Sequence, residues 1–426
     1  MNLEFPMEKT NHGGRMRKIV LVLFLAWLTA GVSRATTIDG GAWAEFYAFK
    51  VKLPTTQSHL RSLEGLRLGI KDAYVPGLRI YANGRMASDM IHKLPGDSDF
   101  RVYGAYLEYT TPHRLLMARA GRQFVFAGLG GITLDGGKID IYHRGVTLTG
   151  YVGTTPGPSF FDFDEVNSWK KSNAYGGRLK YSGVKRLAVG ASFQQRNFED
   201  NLDSQLGGVD LTYSLKRCTF FARGDYDFFF KRFQLASVRP TIRFEGGHYV
   251  NLEYLYRHRS LPLHTMFSVF ADKPYNQFRL NPVIKLGRQL YGLGTLTYTS
   301  YEDDNNTNFS IGASYMGQSA GFFYGDGYGG QQVGGFANLS YSPMQKLQVY
   351  LQGNSFDYKI NDDEDDFTPS LAGALGAYYE LVRNLQARGE VQLLSNRDYK
   401  YDTRFYLRLE YFLRKTVNQT IGGDGR

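Results

Sequence analysis

The densest cluster of potential ligands is Asn361-Asp362-Asp363-Glu364-Asp365-Asp366. Its carboxylates are the hard oxygen donors that Ca²⁺ prefers, but it lacks the central Gly and terminal Glu of an EF-hand loop, so it reads first as a solvated acidic loop. The eight histidines are scattered, and His258 and His264, which share a segment, do not have metal-ligand spacing. Cys218 is the only cysteine. That excludes a disulfide within the chain, a cysteine-based zinc site, an iron–sulfur cluster and c-type haem attachment, each of which needs at least two thiols. A serine elbow, a P-loop and an HExxH helix are also missing from the sequence. The expectation is therefore no catalytic residue, no metal and no cofactor. What remains is a long series of Arg, Lys, Asp and Glu that alternate with apolar residues. Groups spaced in this way act through their field, not through bond making.

That alternation identifies the elements. Five segments show it well: Leu78 to Ser88, Arg101 to Thr110, Ala174 to Ser182, Tyr249 to Arg257 and Thr403 to Leu413. In the second, Tyr103, Ala105, Leu107 and Tyr109 fall on one face and Gly104, Tyr106 and Glu108 on the other. Successive side chains of a strand point to opposite faces, so each segment has one apolar and one polar side. Composition agrees: 31 Tyr, 30 Phe and 49 Gly with only 13 Pro favour β structure and exclude a disordered chain. Segments of about ten residues separated by turn residues are the signature of an antiparallel transmembrane β-barrel. Tyr103/Tyr109 and Tyr175/Tyr181 bracket their apolar stripes. Six residues at about 3.3 Å each give roughly the height of a lipid-facing band between aromatic girdles.

Short connections, such as Val75-Pro76-Gly77 and Gly317-Gln318, alternate with longer polar ones, such as Asp89 to Asp99, Phe124 to Gly137, Thr154 to Lys171 and Asn197 to Gln205. Short periplasmic turns opposite long extracellular loops account for this. The count comes to about 18–22 strands in a single domain. Gly130 to Tyr151 and Gly325 to Gln332 are hard to assign, and Pro240 and Pro282 interrupt two otherwise regular strands.

At the N-terminus, Arg15, Arg17 and Lys18 precede the apolar run Ile19 to Val32, and Ser33-Arg34-Ala35 follows it. This is the layout of a Sec signal peptide over residues 1–35, with Met16 a possible true start, and the run is too short to span a bilayer. The barrel then occupies residues 36–426. It stays net positive after removal of the leader, yet it has no zinc-finger spacing or basic run suited to nucleic acid.

If the apolar faces meet lipid, the polar faces line a lumen. Strand by strand these supply Arg67, Arg79, Arg85, Arg178, Lys180, Arg223, Arg239, Arg243, Arg257, Arg388 and Arg408, with Lys71, Arg196, Arg279 and Lys285. The acidic members are Glu108, Asp225, Glu253, Glu390 and Glu410, with Asp210 and Glu245. Basic groups dominate, so the expectation is a passive pore with a mild preference for small anionic solutes. Ion pairing between these arginines and carboxylates would weaken that preference.

The most distinctive stretch is Arg119-Ala120-Gly121-Arg122-Gln123, followed by a Gly-rich run and Leu134-Asp135-Gly136. It resembles Gram-negative porins of the phosphate-selective and alginate-export-like kinds, and the porin-like barrels of metal-reducing bacteria. The resemblance implies an outer-membrane channel in contact with lipid and lipopolysaccharide, and a loop carrying Arg119, Arg122 and Asp135 that could fold inward as a constriction. It also implies an alternative, a sheath around a periplasmic or outer-membrane multihaem cytochrome in a porin–cytochrome electron conduit. A barrel enzyme is the third possibility, but no reacting group for it can be assembled. Unlike many such barrels, which end on a terminal aromatic, this chain continues from Leu413 to Arg426.

Overall fold

The computed structural model describes residues 37–51, 56–72, 75–92, 99–156, 166–258, 273–359, 366–397 and 399–416. The expected leader, most of the acidic run at 361–366, and His264 lie outside them. No helix among the described residues is long and apolar enough to cross a membrane.

Among the described residues, twenty-two strands follow one another along the chain. The first eight are β1 (Thr37–Val51), β2 (Gln57–Lys71), β3 (Leu78–Asp89), β4 (Asp99–Thr110), β5 (Leu116–Phe126), β6 (Gly131–His143), β7 (Val146–Thr154) and β8 (Ser172–Tyr181). Next come β9 (Leu187–Phe198), β10 (Asn201–Ser214), β11 (Cys218–Asp227), β12 (Arg232–Arg243), β13 (Tyr249–Arg257), β14 (Tyr275–Lys285) and β15 (Leu290–Ser300). The series ends with β16 (Asn305–Tyr315), β17 (Gln318–Gly327), β18 (Gln331–Met344), β19 (Leu347–Lys359), β20 (Thr368–Val382), β21 (Leu385–Ser395) and β22 (Asp402–Thr416). Each strand pairs antiparallel with its neighbours in sequence, and β1 pairs with β22, so the sheet closes into a barrel. Closure leaves no free edge, the form in which a sheet can satisfy its backbone within hydrocarbon.

The register assigns every side chain to a face, because residues paired across two strands point the same way. On one face, large apolar side chains stand in the open around the ring: Leu66, Leu148, Val209, Phe278, Phe322 and Leu375. On the other face, polar side chains meet across non-adjacent strands. Tyr47 of β1 donates to Gln392 of β21, and Gln194 of β9 to Tyr151 of β7. Side chains that reach past a strand must lie on the concave side, so the polar face is inner and the apolar face outer. This is the inverse of a soluble sandwich and the arrangement of a transmembrane barrel.

The two prolines sit where the ladder can spare a bond. Between β12 and β13 the pairing passes from Val238 to Thr241, skipping Pro240. Between β14 and β15 it passes from Leu280 to Val283, skipping Pro282. Several turns are tight for a specific backbone reason. Arg144-Gly145 and Met316-Gly317 both have positive φ at each residue, the two-residue turn whose twist matches flanking strands. Glu199 and Asp200 do the same at the opposite rim. That corrects the expected long connection from Asn197 to Gln205, which is strand except for those two residues.

A further correction concerns Tyr103. The β3–β4 pairing jumps from Asn83–Gly104 to Gly84–Val102, so Tyr103 is the extra residue of a bulge. Its ring lies 5.5 Å from the Arg85 guanidinium, so it leaves the outer aromatic stripe that its alternation implied.

Candidate channel interior

The inner face carries the sequence-selected charges. Register places Arg67, Arg79, Arg85, Glu108, Arg119, Arg178 and Lys180 there, from β2 to β8. It also places Arg223, Asp225, Arg239, Arg243, Glu253 and Arg257 there, from β11 to β13. Arg388, Glu390, Arg408 and Glu410 complete the set on β21 and β22. Of the additional residues, Glu245 is in the β12–β13 turn and pairs with Arg217.

Many of these groups neutralise one another. Arg178 bonds Asp210 at 2.9 Å, and Arg223 bonds Asp225 at 2.5 Å. Arg388 bonds Glu390 at 2.7 Å, while Arg119 chelates Glu108. Arg408 holds Glu45 at 2.6 Å and Glu410 at 2.7 Å. Glu253 is shared by Arg279 at 3.4 Å and Arg239 at 3.6 Å. Of the sequence-selected cations among the described residues, Arg67, Lys71, Arg85, Lys180, Arg243, Arg257 and Lys285 have no carboxylate within ion-pair distance, whereas each acid of that set has a basic partner.

Sequence reasoning missed Glu45, Asp140, Asp402 and Arg404, together with the aromatics around the cations. Arg388 lies 5.0 to 5.4 Å from the rings of Tyr350, Tyr378 and Tyr406. Arg408 sits over Trp43 at 5.9 Å. The alternation of GAWAEFYAF held the signal, since Trp43, Glu45 and Tyr47 share one parity, but aromatics at those positions read equally well as an outer stripe.

The stretch Phe124 to Gly137 is not a loop, which corrects the reading of Arg119, Arg122 and Asp135 as loop residues. Arg119 and Arg122 are on β5, Asp135 is on β6, and only residues 127–130 form the turn. This hairpin nevertheless leaves the wall. β5 pairs with β4 only up to Arg122, and β6 pairs with β7 only from Asp135 downward. Above that level β5 and β6 pair only with each other.

Three residues of the Gly-Arg-Gln run make the departure. Gly121 has φ +122°, and a β-carbon there would strike the Ala105 carbonyl oxygen. Arg122 makes two bonds to Asp135, Nε to Oδ1 at 2.6 Å and Nη2 to Oδ2 at 2.7 Å. Its Nη1 donates at 3.2 Å to the Val102 carbonyl of β4, level with the point where β5 has left. Gln123 is fully buried and donates to the Gly136 carbonyl at 3.1 Å.

The freed hairpin packs on the inside of the barrel. Val125, Ala127, Ile132 and Leu134 form a buried apolar cluster with Tyr151 of β7 and Ala174 of β8. At the tip, Gly128 has φ +90°, and a β-carbon there would meet Ser192 Oγ and Arg178 Nη1. Leu129 is buried against Gly208 of β10. Arg196 Nη2 donates to the Gly131 carbonyl at 3.4 Å. The opposite side of the hairpin presents Phe124 and Phe126, 62% and 58% exposed.

Cys218 is paired in the β11–β12 ladder on the outer face with Phe220 and Ala222. His258 contacts Arg232 at 2.7 Å. No group of three metal-ligating side chains occurs among the described residues.

No protein-family model matches the chain, and no curated protein matches it. Solved structures do. The chain is similar to a chain of the Escherichia coli P pilus tip assembly intermediate PapC-PapD-PapK-PapG, at 9% identity and a TM-score of 0.55. That match covers 90% of this chain and 62% of the other, so the chain spans less than two thirds of that protein's length. The P pilus usher (PapC) translocation pore matches at 8% identity and a TM-score of 0.50, covering 89% of this chain and 100% of that one. A BenF-like porin from Pseudomonas fluorescens Pf-5 matches at 7% identity and a TM-score of 0.46, covering 89% and 98%. At these identities the shared property is the barrel fold.

Proposed function

We propose that this chain is an outer-membrane channel for passive diffusion of small hydrophilic solutes, with a mild preference for anions, and that residues 1–35 are its export leader. The observation that carries this reading is a closed barrel, apolar outside and polar inside, into which one hairpin folds. Twenty-two strands about 4.8 Å apart and tilted about 40° enclose a circle about 40 Å across. A bore of that size needs a constriction before it can discriminate among small solutes, and the β5–β6 hairpin supplies one. Lipid and lipopolysaccharide contact the outer face. The function requires no reacting group.

The anion preference rests on the residual field. The bridged arginines and carboxylates largely cancel, whereas Arg67, Lys71, Arg85, Lys180, Arg243, Arg257 and Lys285 remain, and their field in a low-dielectric wall raises local anion concentration. The cytochrome-sheath alternative is less favoured, because the hairpin packed on β7–β10 occupies space that an inserted partner would need.

Single-channel recording of refolded full-length protein in a planar bilayer tests the reading. A tenfold KCl gradient should give a reversal potential of the sign for anion preference. The triple variant Arg67→Gln, Lys180→Gln, Arg257→Gln should move it toward zero. No conductance would end the channel reading, and a cation-selective potential would end the anion preference alone.

A further inference from the structure

The inner wall is not uniform, and its uncharged sector has a chemistry of its own. From β16 to β19 the inward positions carry no charged side chain. They carry amides, hydroxyls, glycines and aromatic rings instead. The amides include Asn306, Asn308, Gln332, Asn338, Gln352 and Asn354. The rings descend in sequence from the rim. Tyr358 lies 5.9 Å from Phe356, and Phe356 lies 6.1 Å from Phe323. Phe336 follows one pair lower, since Gly321 pairs with Phe336 and Phe323 with Gly334.

Two depressions open along this track. The upper one, about 200 Å³, lies among Asn306, Asn308, Gln332, Tyr328, Phe356 and Tyr358, with Asp326, whose register position with Thr307 is on the outer face, at its margin. The lower one, about 390 Å³, is bounded by Phe336, Asn338, Gln352, Asn354 and Gln392 over the small floor residues Ala372 and Ala374. The lower volume falls in the range of small-molecule sites. Within it, Asn338 donates to Ser319 at 3.3 Å and Gln392 is engaged by Glu390 and Tyr47. Among the described residues the Gln352 and Asn354 amides have no hydrogen-bond partner, so both can turn donor and acceptor toward a ligand.

We infer that this sector binds neutral, polyhydroxylated chains, that is, linear oligosaccharides, with Gln352, Asn354 and Phe336 forming the lower subsite. An amide offers a donor and an acceptor side by side, which matches vicinal hydroxyls. A flat ring matches the C–H face of a pyranose, and the negative face of its quadrupole favours those hydrogens. The lack of charge disfavours an ionic ligand on this wall. A line of rings and amides running down the barrel suits a chain of linked sugars better than a single compact solute. The inference rests on the channel reading and narrows its solute class.

Maltohexaose, a linear neutral glucan oligosaccharide, is the probe. Added to single channels of the full-length protein, it should block the ion current reversibly. The half-blocking concentration, scaled to each variant's own open current, should rise at least about fivefold in Gln352→Ala/Asn354→Ala and in Phe336→Ala. No block at 10 mM, or block unchanged in both variants, would overturn the inference while leaving the channel reading intact. If the barrel does not conduct, calorimetric titration of the detergent-solubilised protein with maltohexaose decides the matter separately: binding weakened by the same variants upholds the subsite, and no binding removes it.

Discussion

Arg122 and Asp135 bear more of the site's geometry than any residue facing the open lumen. Their side chains are only 6% and 10% exposed, they bond through two oxygens, and the third contact of Arg122 satisfies the Val102 carbonyl on β4. A buried pair contributes little net energy when intact, but loss of one partner leaves a charge without compensation, at about 3–5 kcal/mol. Arg122→Ala should therefore destabilise the barrel by about 3 kcal/mol, measured as the urea midpoint of unfolding in detergent or vesicles. The paired change Arg122→Met/Asp135→Leu should cost clearly less, because it removes both charges. If the single variant costs no more than the double, the pair is not a clamp. The residues were legible in the sequence as a distinctive Gly-Arg-Gln and Leu-Asp-Gly. Their task was not, because it depends on which strand withdraws from which neighbour, and that is a long-range fact.

At the level of elements, the β5–β6 hairpin shows why alternation reads well in the wall and poorly inside it. β13 matches its sequence segment at both ends, Tyr249–Arg257, because its two faces meet media of opposite polarity along its whole length. Above Arg122 the hairpin has protein on one side and the open interior on the other, so Phe124, Val125 and Phe126 lose the polar–apolar contrast and read as a loop. Glu199-Asp200 reads as part of a long connection for another reason: residues other than glycine adopt the left-handed backbone of a tight turn there. The hairpin's reach can be tested by shortening it. Replacing Ala127–Gly130 with Asn-Gly removes the contacts of Gly128 with Arg178 and Ser192 and that of Leu129 with Gly208. Open-channel conductance should rise on the order of twofold if the tip narrows the bore, since current follows the narrowest section. Unchanged conductance with intact folding would place the constriction elsewhere.

For the whole molecule, the reading depends on which face meets hydrocarbon. A barrel with water inside and lipid outside treats the same substitution in opposite ways on alternate residues of one strand. Val209 and Thr212 of β10 make the comparison. Val209 pairs with Gly224 and Ala191 on the outer face and is 62% exposed, whereas Thr212 pairs with Phe221 on the inner face. An arginine at an outer position near the bilayer centre costs about 2–4 kcal/mol, while an inner one stays in water. Val209→Arg should therefore lower the stability of protein refolded into vesicles by about 2–4 kcal/mol. Thr212→Arg should leave stability nearly unchanged and strengthen anion preference in the reversal potential, as a further inner cation would. In detergent micelles, which deform around a charge, the Val209→Arg penalty should shrink. Equal costs for the two variants in vesicles would mean that the faces do not meet different media. The same alternation made the fold legible from sequence, because a membrane wall repeats one rule at every residue and a lumen's contents obey none.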